Sequence, residues 1–312
     1  MFPMHFIILL ATFSPALSLV LPDAGPQGYA SNPTEGPIQP KAVCPAIWKE
    51  IASDLQNSFA DCNNDARSAI RFAFHDGAGY SSLTKPYGPA TGGADGSLLL
   101  SDSEIARTIN DPMQDFRNDF LLPKYKTYKN RNVGAADFVQ FAGVIGTKSC
   151  PGGPVYKAVV GRIDDATACP LDMLPEAFGA NSSASVLLDL WAAKGFDARE
   201  LAALLGAHSV SKAFAEEQDG IPSGGAQDTT PTTWDANYYK QTQNGTTEGV
   251  YSFDSDKNLA KLGTASGRAF TEFGNDFEVW GEAFKAAMYK LSVLGIPESK
   301  VAGFIDCSSA VE

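Results

Sequence analysis

Histidine is scarce in this chain: three in 312 residues, His5, His75 and His208. Chemistry resting on imidazole is confined to those positions, and neither His75 nor His208 has a second ligand at the spacing a zinc site needs. Basic residues are also few, 24 Lys and Arg against 36 Asp and Glu, for a formal net charge of -12. That balance opposes attraction to phosphate backbones or anionic lipid, so nucleic acid and membrane surfaces are not expected partners. The five cysteines lack CxxC spacing, and no GxSxG elbow accompanies either histidine, which leaves a hydrolase without its nucleophile. The apolar stretch from Phe6 to Phe13 is too short to cross a bilayer as a stable helix. Strand-like alternation is scarce, and there is no internal repeat or low-complexity tract.

What is present supports a sizeable core: 44% of residues are hydrophobic, enough for one large domain or two smaller lobes. Residues 1–20 read as a secretory signal, an apolar run followed by small residues such as Ala16 and Ser18, although no Lys or Arg precedes the run. A Pro- and Gly-rich arm over 21–43 follows, without a core of its own. In an exported protein, Cys44, Cys62, Cys150, Cys169 and Cys307 read first as disulfide partners, with one left over. Asn181-Ser182-Ser183 and Asn244-Gly245-Thr246 are glycosylation acceptors on the same route.

Helical spacing dominates the remainder. Ile47, Ile51, Leu55 and Phe59 fall four apart on one stripe. A second helix is expected from about Asn64 to His75 and a third from about Ala135 to Ile145. Asp197 and Glu200 make a helix-start signature, after which Leu201, Leu204, Leu205 and His208 follow at i, i+3, i+4 and i+7, predicting one helix that points His208 inward. A late helix is expected over about Asn275–Leu294. The polar connection from Gly220 to Gly249 is too long for an ordinary linker in a compact domain unless it has a task.

Arg71 and His75 stand four apart on an apolar helix face with Phe74 beside them, so they can address one ligand together. Burying an arginine and an imidazole unpaired would cost several kcal/mol, so something polar must sit opposite. The second inward histidine, His208, follows Gly206 and Ala207, whose small size lets a flat group approach. Two buried imidazoles of this kind suggest the two sides of a haem.

At these residues, Arg71-Phe72-Ala73-Phe74-His75-Asp76 and Leu204-Leu205-Gly206-Ala207-His208-Ser209, the chain resembles the plant-type haem peroxidase superfamily, most closely its class II of secreted fungal enzymes. The resemblance runs over roughly 44–307. It implies a mainly α fold, a single domain over 21–312 made of a distal lobe (about 44–178) and a proximal lobe (about 179–300) with one haem b between them. It further implies a secreted monomer that uses hydrogen peroxide to oxidise phenolic or other small aromatic donors at the haem edge.

The resemblance assigns roles residue by residue. His75 is the distal acid/base, Arg71 the charge stabiliser, and Phe74 their neighbour. Glu104 and Asn110 match the distal pair whose asparagine carbonyl accepts a hydrogen bond from the His75 Nδ1–H. His208 is the iron ligand and Asp256 the carboxylate that accepts its Nδ1 proton. Pro175 lies in the access segment Leu174-Pro175-Glu176-Ala177-Phe178. Asp76, the Gly93 carbonyl, Asp95 and Ser97 match a distal calcium site; Ser209, Asp228, Thr230, the Thr233 carbonyl and Asp235 match a proximal one. Cys62 with Cys150 and Cys44 with Cys307 match the family's bridges, leaving Cys169 free. The manganese-binding positions correspond to Asn64, Ser68 and Phe214, and the exposed catalytic tryptophan position to Ala203, so neither specialised site is expected. Gln227 stands where relatives commonly have an aromatic beneath the haem. The competing reading is a calcium-stabilised haem-binding protein without turnover; it has no use for a distal acid/base pair.

Overall fold

The fold grows from helices whose apolar positions recur at helical spacing. Ile47–Ser58 (α1) buries Trp48, Ile51, Ala52 and Leu55 along one face. Asn63 caps Asn64–Gly77 (α2), its side-chain oxygen accepting the Ala66 N–H at 3.0 Å, which satisfies a donor the first turn leaves open. The computed structural model describes residues 42–82, 92–174, 182–213, 221–245 and 247–312, all within one compact unit, Lys41–Glu312. The expected signal and most of the arm, Pro175 to Phe178, Asn181, Phe214 and Thr246 lie outside the described residues.

Ala135–Ser149 (α3) packs against α2 at close range. A Cβ on Gly143 would lie 2.5 Å from the Ala73 Cβ, and one on Gly146 would lie 2.6 Å from the Ala66 carbonyl oxygen. These two glycines set how near the helices come, and a larger residue at either forces them apart. The Cys62–Cys150 bridge joins the approach to α2 with the end of α3, and Cys44–Cys307 ties the segment before α1 to the C-terminal region. Two short strands, Val159–Val160 and Ile305–Asp306, pair antiparallel.

The second half contains Ala184–Ala192 (α4), Ala198–Leu205 (α5), Asn237–Asn244 (α6), Ala265–Asn275 (α7) and Phe277–Ser292 (α8). The expected start of α5 is a full capping box: Asp197 Oδ1 accepts the Glu200 N–H at 2.7 Å, and Glu200 Oε2 accepts the Asp197 N–H at 2.9 Å.

One expectation needs correction. The helix from Ala198 does not continue through His208; it ends at Leu205 and gives way to a 3₁₀ turn, Gly206–Val210. The cause is tertiary. The Trp280 indole N–H donates to the Ala203 carbonyl at 3.1 Å and the Tyr239 hydroxyl to the Ala202 carbonyl at 2.8 Å, while the Gly206 N–H turns to Ala203 and Leu204. With those carbonyls partly engaged from outside, the chain tightens to i→i−3 bonding. The late helix is found within two residues of its expected bounds, at Phe277–Ser292; before it Asp276 is extended and accepts the Val279 N–H at 3.0 Å, a cap that divides it from α7. The 220–249 connection contains a helix. It holds α6, which buries only Tyr238, Tyr239 and Thr242, too little apolar surface for periodicity to announce.

Candidate active site

The end of α2 supplies one wall of a cavity of about 180 Å³, lined there by Arg71, Phe74 and His75. Arg71 Nε lies 3.4 Å from His75 Nε2, as the four-residue spacing requires. The other ring nitrogen, Nδ1, lies 2.9 Å from Asn110 Oδ1, and Asn110 donates its own amide to the Glu104 carbonyl at 2.8 Å. With its nitrogen spent in this way, Asn110 can offer His75 only its oxygen, so Nδ1 carries the proton and Nε2 the lone pair. Burial first, and then the Arg71 charge, press the His75 pKa down to about 3, against the opposing pull of the Asn110 hydrogen bond. The imidazole is therefore a free base at neutral pH. Burial lowers Arg71 to about 10, which leaves it cationic there.

Glu104 acts on Asn110 through its main chain, a detail residue matching does not reveal. Its carboxylate instead accepts the Cys169 N–H at 2.8 Å, while Arg107 donates to the Cys169 carbonyl at 2.6 Å. Cys169 is free and buried, and burial followed by the Glu104 charge pushes its thiol up to about 12.

Another part of the lining comes from the end of α5 and the turn after it, with Leu205, Ala207 and His208. His208 Nδ1 lies 2.8 Å from Asp256 Oδ2, leaving Nε2 as the ring nitrogen not engaged by that carboxylate. Asp256 sits in the helical turn Asp254–Leu259 and is almost fully buried. The same Oδ2 also accepts from the Tyr238 hydroxyl at 3.0 Å and from Gln227 Nε2 at 3.2 Å. Tyr238 and Phe253 set their ring edges against the His208 imidazole, at 5.5 and 5.9 Å between centroids.

Ala207 lines the cavity, but Gly206 does not serve a flat ligand. A Cβ on Gly206 would lie 2.2 Å from Trp280 Nε1 and 2.6 Å from the Tyr239 hydroxyl, so its smallness serves packing behind the wall. Ala203, at the position matched to the relatives' exposed tryptophan, is fully buried, and its carbonyl is held by Trp280. Leu174 borders the cavity; Pro175 is outside the described residues.

Two oxygen-rich loops flank the histidines. Beside His75, Asp76 accepts the Gly96 and Leu98 N–H groups at 3.2 and 3.3 Å, and Asp95 accepts the Ser97 N–H at 2.9 Å. Gly93 adopts φ +82°, and a Cβ there would meet the Leu294 carbonyl at 2.5 Å. Burial, with the charges of Asp95 and Glu104 adding, raises the Asp76 pKa well above the usual carboxylate range. Beside His208, Ser209 Oγ and Asp228 Oδ2 are buried without a hydrogen-bond partner among the described residues. Asp228 is pushed up to about 7, chiefly by burial. Thr230 Oγ1 donates to Asp235 Oδ2 at 2.6 Å, and the Thr233 N–H to the Thr230 carbonyl at 3.0 Å. Among the described residues no group of three or more His, Cys, Asp or Glu forms a metal-holding cluster; each loop offers two carboxylates with hydroxyl and carbonyl oxygens.

Residues 51–272 match the peroxidase family. The chain belongs to that family. It is a haem peroxidase of the class II, fungal type. It is 29% identical to a peroxidase of Coprinopsis cinerea and 29% identical to a peroxidase of Arthromyces ramosus, in each case over 97% of this chain and 86% of the relative. It is 30% identical to manganese peroxidase H4 of Phanerodontia chrysosporium over 88% of this chain and 78% of that protein. The mainly helical architecture accords with this membership. Among the peroxidase's described residues, no helix is long and apolar enough to cross a membrane.

Sequence reasoning missed Tyr238, because the segment carrying it reads as a polar connection. It noted Gln227 only as a departure. Arg107 left no signal at all; its partner Cys169 is 62 residues away.

Proposed function

We propose that this peroxidase binds one haem b between His75 and His208 and two calcium ions, and uses hydrogen peroxide to take single electrons from phenolic or other small aromatic donors at the haem edge. It acts as a secreted monomer in this reading. The observation carrying it is that both histidines line one cavity, each with Nδ1 held by an acceptor, at 2.9 Å for His75 and 2.8 Å for His208.

The residues present fit a haem. The cavity joins apolar side chains, Phe74, Leu205 and Phe253 among them, to two imidazoles, and the Nδ1 contact with Asp256 leaves His208 Nε2 to ligate iron. When bound, the haem supplies the redox chemistry of peroxide cleavage. His75 Nε2, unprotonated at neutral pH, takes a proton from the peroxide and returns it to the departing oxygen. Arg71 places its positive charge beside that oxygen as negative charge develops. Phe74, packed 5.3 Å from Trp191 between centroids, keeps the wall apolar and excludes water from the proton transfer.

Calcium fits as well. The orphaned Ser209 Oγ and Asp228 Oδ2 are oxygens that a hard cation satisfies, with Thr230, the Thr233 carbonyl and Asp235 completing the set. Asp76, Asp95, Ser97 and the Gly93 carbonyl form the corresponding set beside His75, where a cation offsets the repulsion between buried carboxylates. Neutral side chains, Asn64, Ser68 and Phe214, at the positions read as manganese ligands favour organic donors over manganese.

The test is His75→Ala. The variant is expected to retain haem while its reaction with peroxide slows by about 10²- to 10⁴-fold, the usual worth of a positioned acid/base. An unchanged rate rejects the assignment.

A further inference from the structure

Asp256 Oδ2 receives more donors than one carboxylate oxygen can serve at full strength. His208 Nδ1 is 2.8 Å away, Tyr238 Oη 3.0 Å and Gln227 Nε2 3.2 Å, the last also 3.3 Å from His208 Nδ1, whereas among the described residues Oδ1 is met by the Ser255 hydroxyl at 3.4 Å. Neither extra donor is a surface side chain in passing contact. Tyr238 is fully buried, its ring 5.1 Å from Tyr239 and 5.9 Å from Phe270 between centroids. Gln227 is 4% exposed and borders the cavity.

A carboxylate draws the imidazole Nδ1 proton toward itself and makes the ring more electron-rich at Nε2. Other donors on the same oxygen share its negative charge and weaken that pull. We infer that Gln227 and Tyr238 are positioning residues that act through Asp256 to hold His208 closer to a neutral imidazole, and so set the bound iron at a more positive reduction potential than the His208–Asp256 pair would alone. A less anionic ligand favours the oxidised metal less, so the reduced state is relatively stabilised. This inference rests on the proposed ligation of haem iron by His208.

Gln227→Met keeps the length of the side chain without its amide, and Tyr238→Phe keeps the ring without its hydroxyl. The holoproteins are compared by spectroelectrochemical titration and by the iron–imidazole stretch in resonance Raman of the reduced form. Each variant is expected to shift the reduction equilibrium roughly tenfold toward the oxidised form, about 59 mV for one electron, and to raise the stretching frequency. Tyr128→Phe removes a hydroxyl that donates to Asp54, at 2.8 Å, rather than to Asp256, and should leave the potential in place. Potentials unmoved in both Gln227→Met and Tyr238→Phe overturn the inference, as does an equal shift in Tyr128→Phe. A wild-type protein lacking any iron–imidazole band instead refutes ligation by His208, so the two failures are distinguishable.

Discussion

Asn110 holds its side-chain oxygen 2.9 Å from His75 Nδ1 because its amide nitrogen is spent on the Glu104 carbonyl, 2.8 Å away. This two-bond chain selects the imidazole tautomer without adding charge. It leaves Nε2 as the basic atom, on the side where Arg71 approaches to 3.4 Å.

Replacing Asn110 by Leu removes the acceptor and leaves a buried N–H unsatisfied. The rate constant for reaction with hydrogen peroxide, measured by stopped flow on the haem-loaded protein, should fall by about one to two orders of magnitude, part of the contribution of a positioned acid/base. A change below twofold would show that the tautomer is set by something else.

The acid limb of the same rate constant follows from the direction of the His75 shift. Its pKa is lowered from 6.5 to about 3 by burial and the Arg71 charge, so the free base persists well below neutrality. The rate should stay level from pH 7 to about 4 and decline only as pH approaches 3. The stability linkage has the matching sign: the unfolded histidine protonates near 6.5, so stability is lost as pH falls from 6.5 toward 3 and levels off below that. An activity midpoint near 6.5 would contradict a desolvated His75.

Chelation should destabilise the protein. One calcium site at a hundredfold excess over its dissociation constant contributes about 2.7 kcal/mol, and each kcal/mol corresponds to about 2–4 °C in a domain of this kind. Calorimetry with and without a chelator should show Tm lower by about 5–10 °C per site lost. Asp228→Ala should reproduce part of that fall and respond less to chelator. An unchanged Tm would leave the orphaned oxygens of Ser209 and Asp228 without a cation.

Cys169 should be inert in the native state. Its thiol, raised to about 12, is protonated at pH 8, and thiolate is the reactive form. Alkylation without reduction, followed by intact mass, should add nothing to the folded protein and one group to the unfolded one, since the other four cysteines are bridged.

Local signals were the most legible in the sequence. The stripe beginning at Ile47, the helix carrying Arg71 and His75, and the Asp197–Glu200 capping box all arise from neighbours within a turn or two, and each is where its spacing implies. The bridges Cys62–Cys150 and Cys44–Cys307 are formed as the family resemblance implied. Features with distant causes were hidden. The 3₁₀ turn at His208 depends on Trp280 and Tyr239 reaching back to Ala203 and Ala202, and the size limit at Gly206 depends on the same two side chains. Tyr238 belongs to a helix with too thin an apolar face to be recognised. The Glu104 contact runs through the backbone, which residue identity does not report.

The central claim is that His75 and His208 face one haem, with iron bonded to the second and proton transfer assigned to the first. The most direct test is the visible absorption of the haem-loaded protein before and after one equivalent of hydrogen peroxide, with His208→Ala in parallel. The account predicts a histidine-ligated Soret band at one haem per chain that changes within the mixing time, and loss of that ligation in the variant. A protein that takes up no haem, or whose band ignores peroxide, would contradict it.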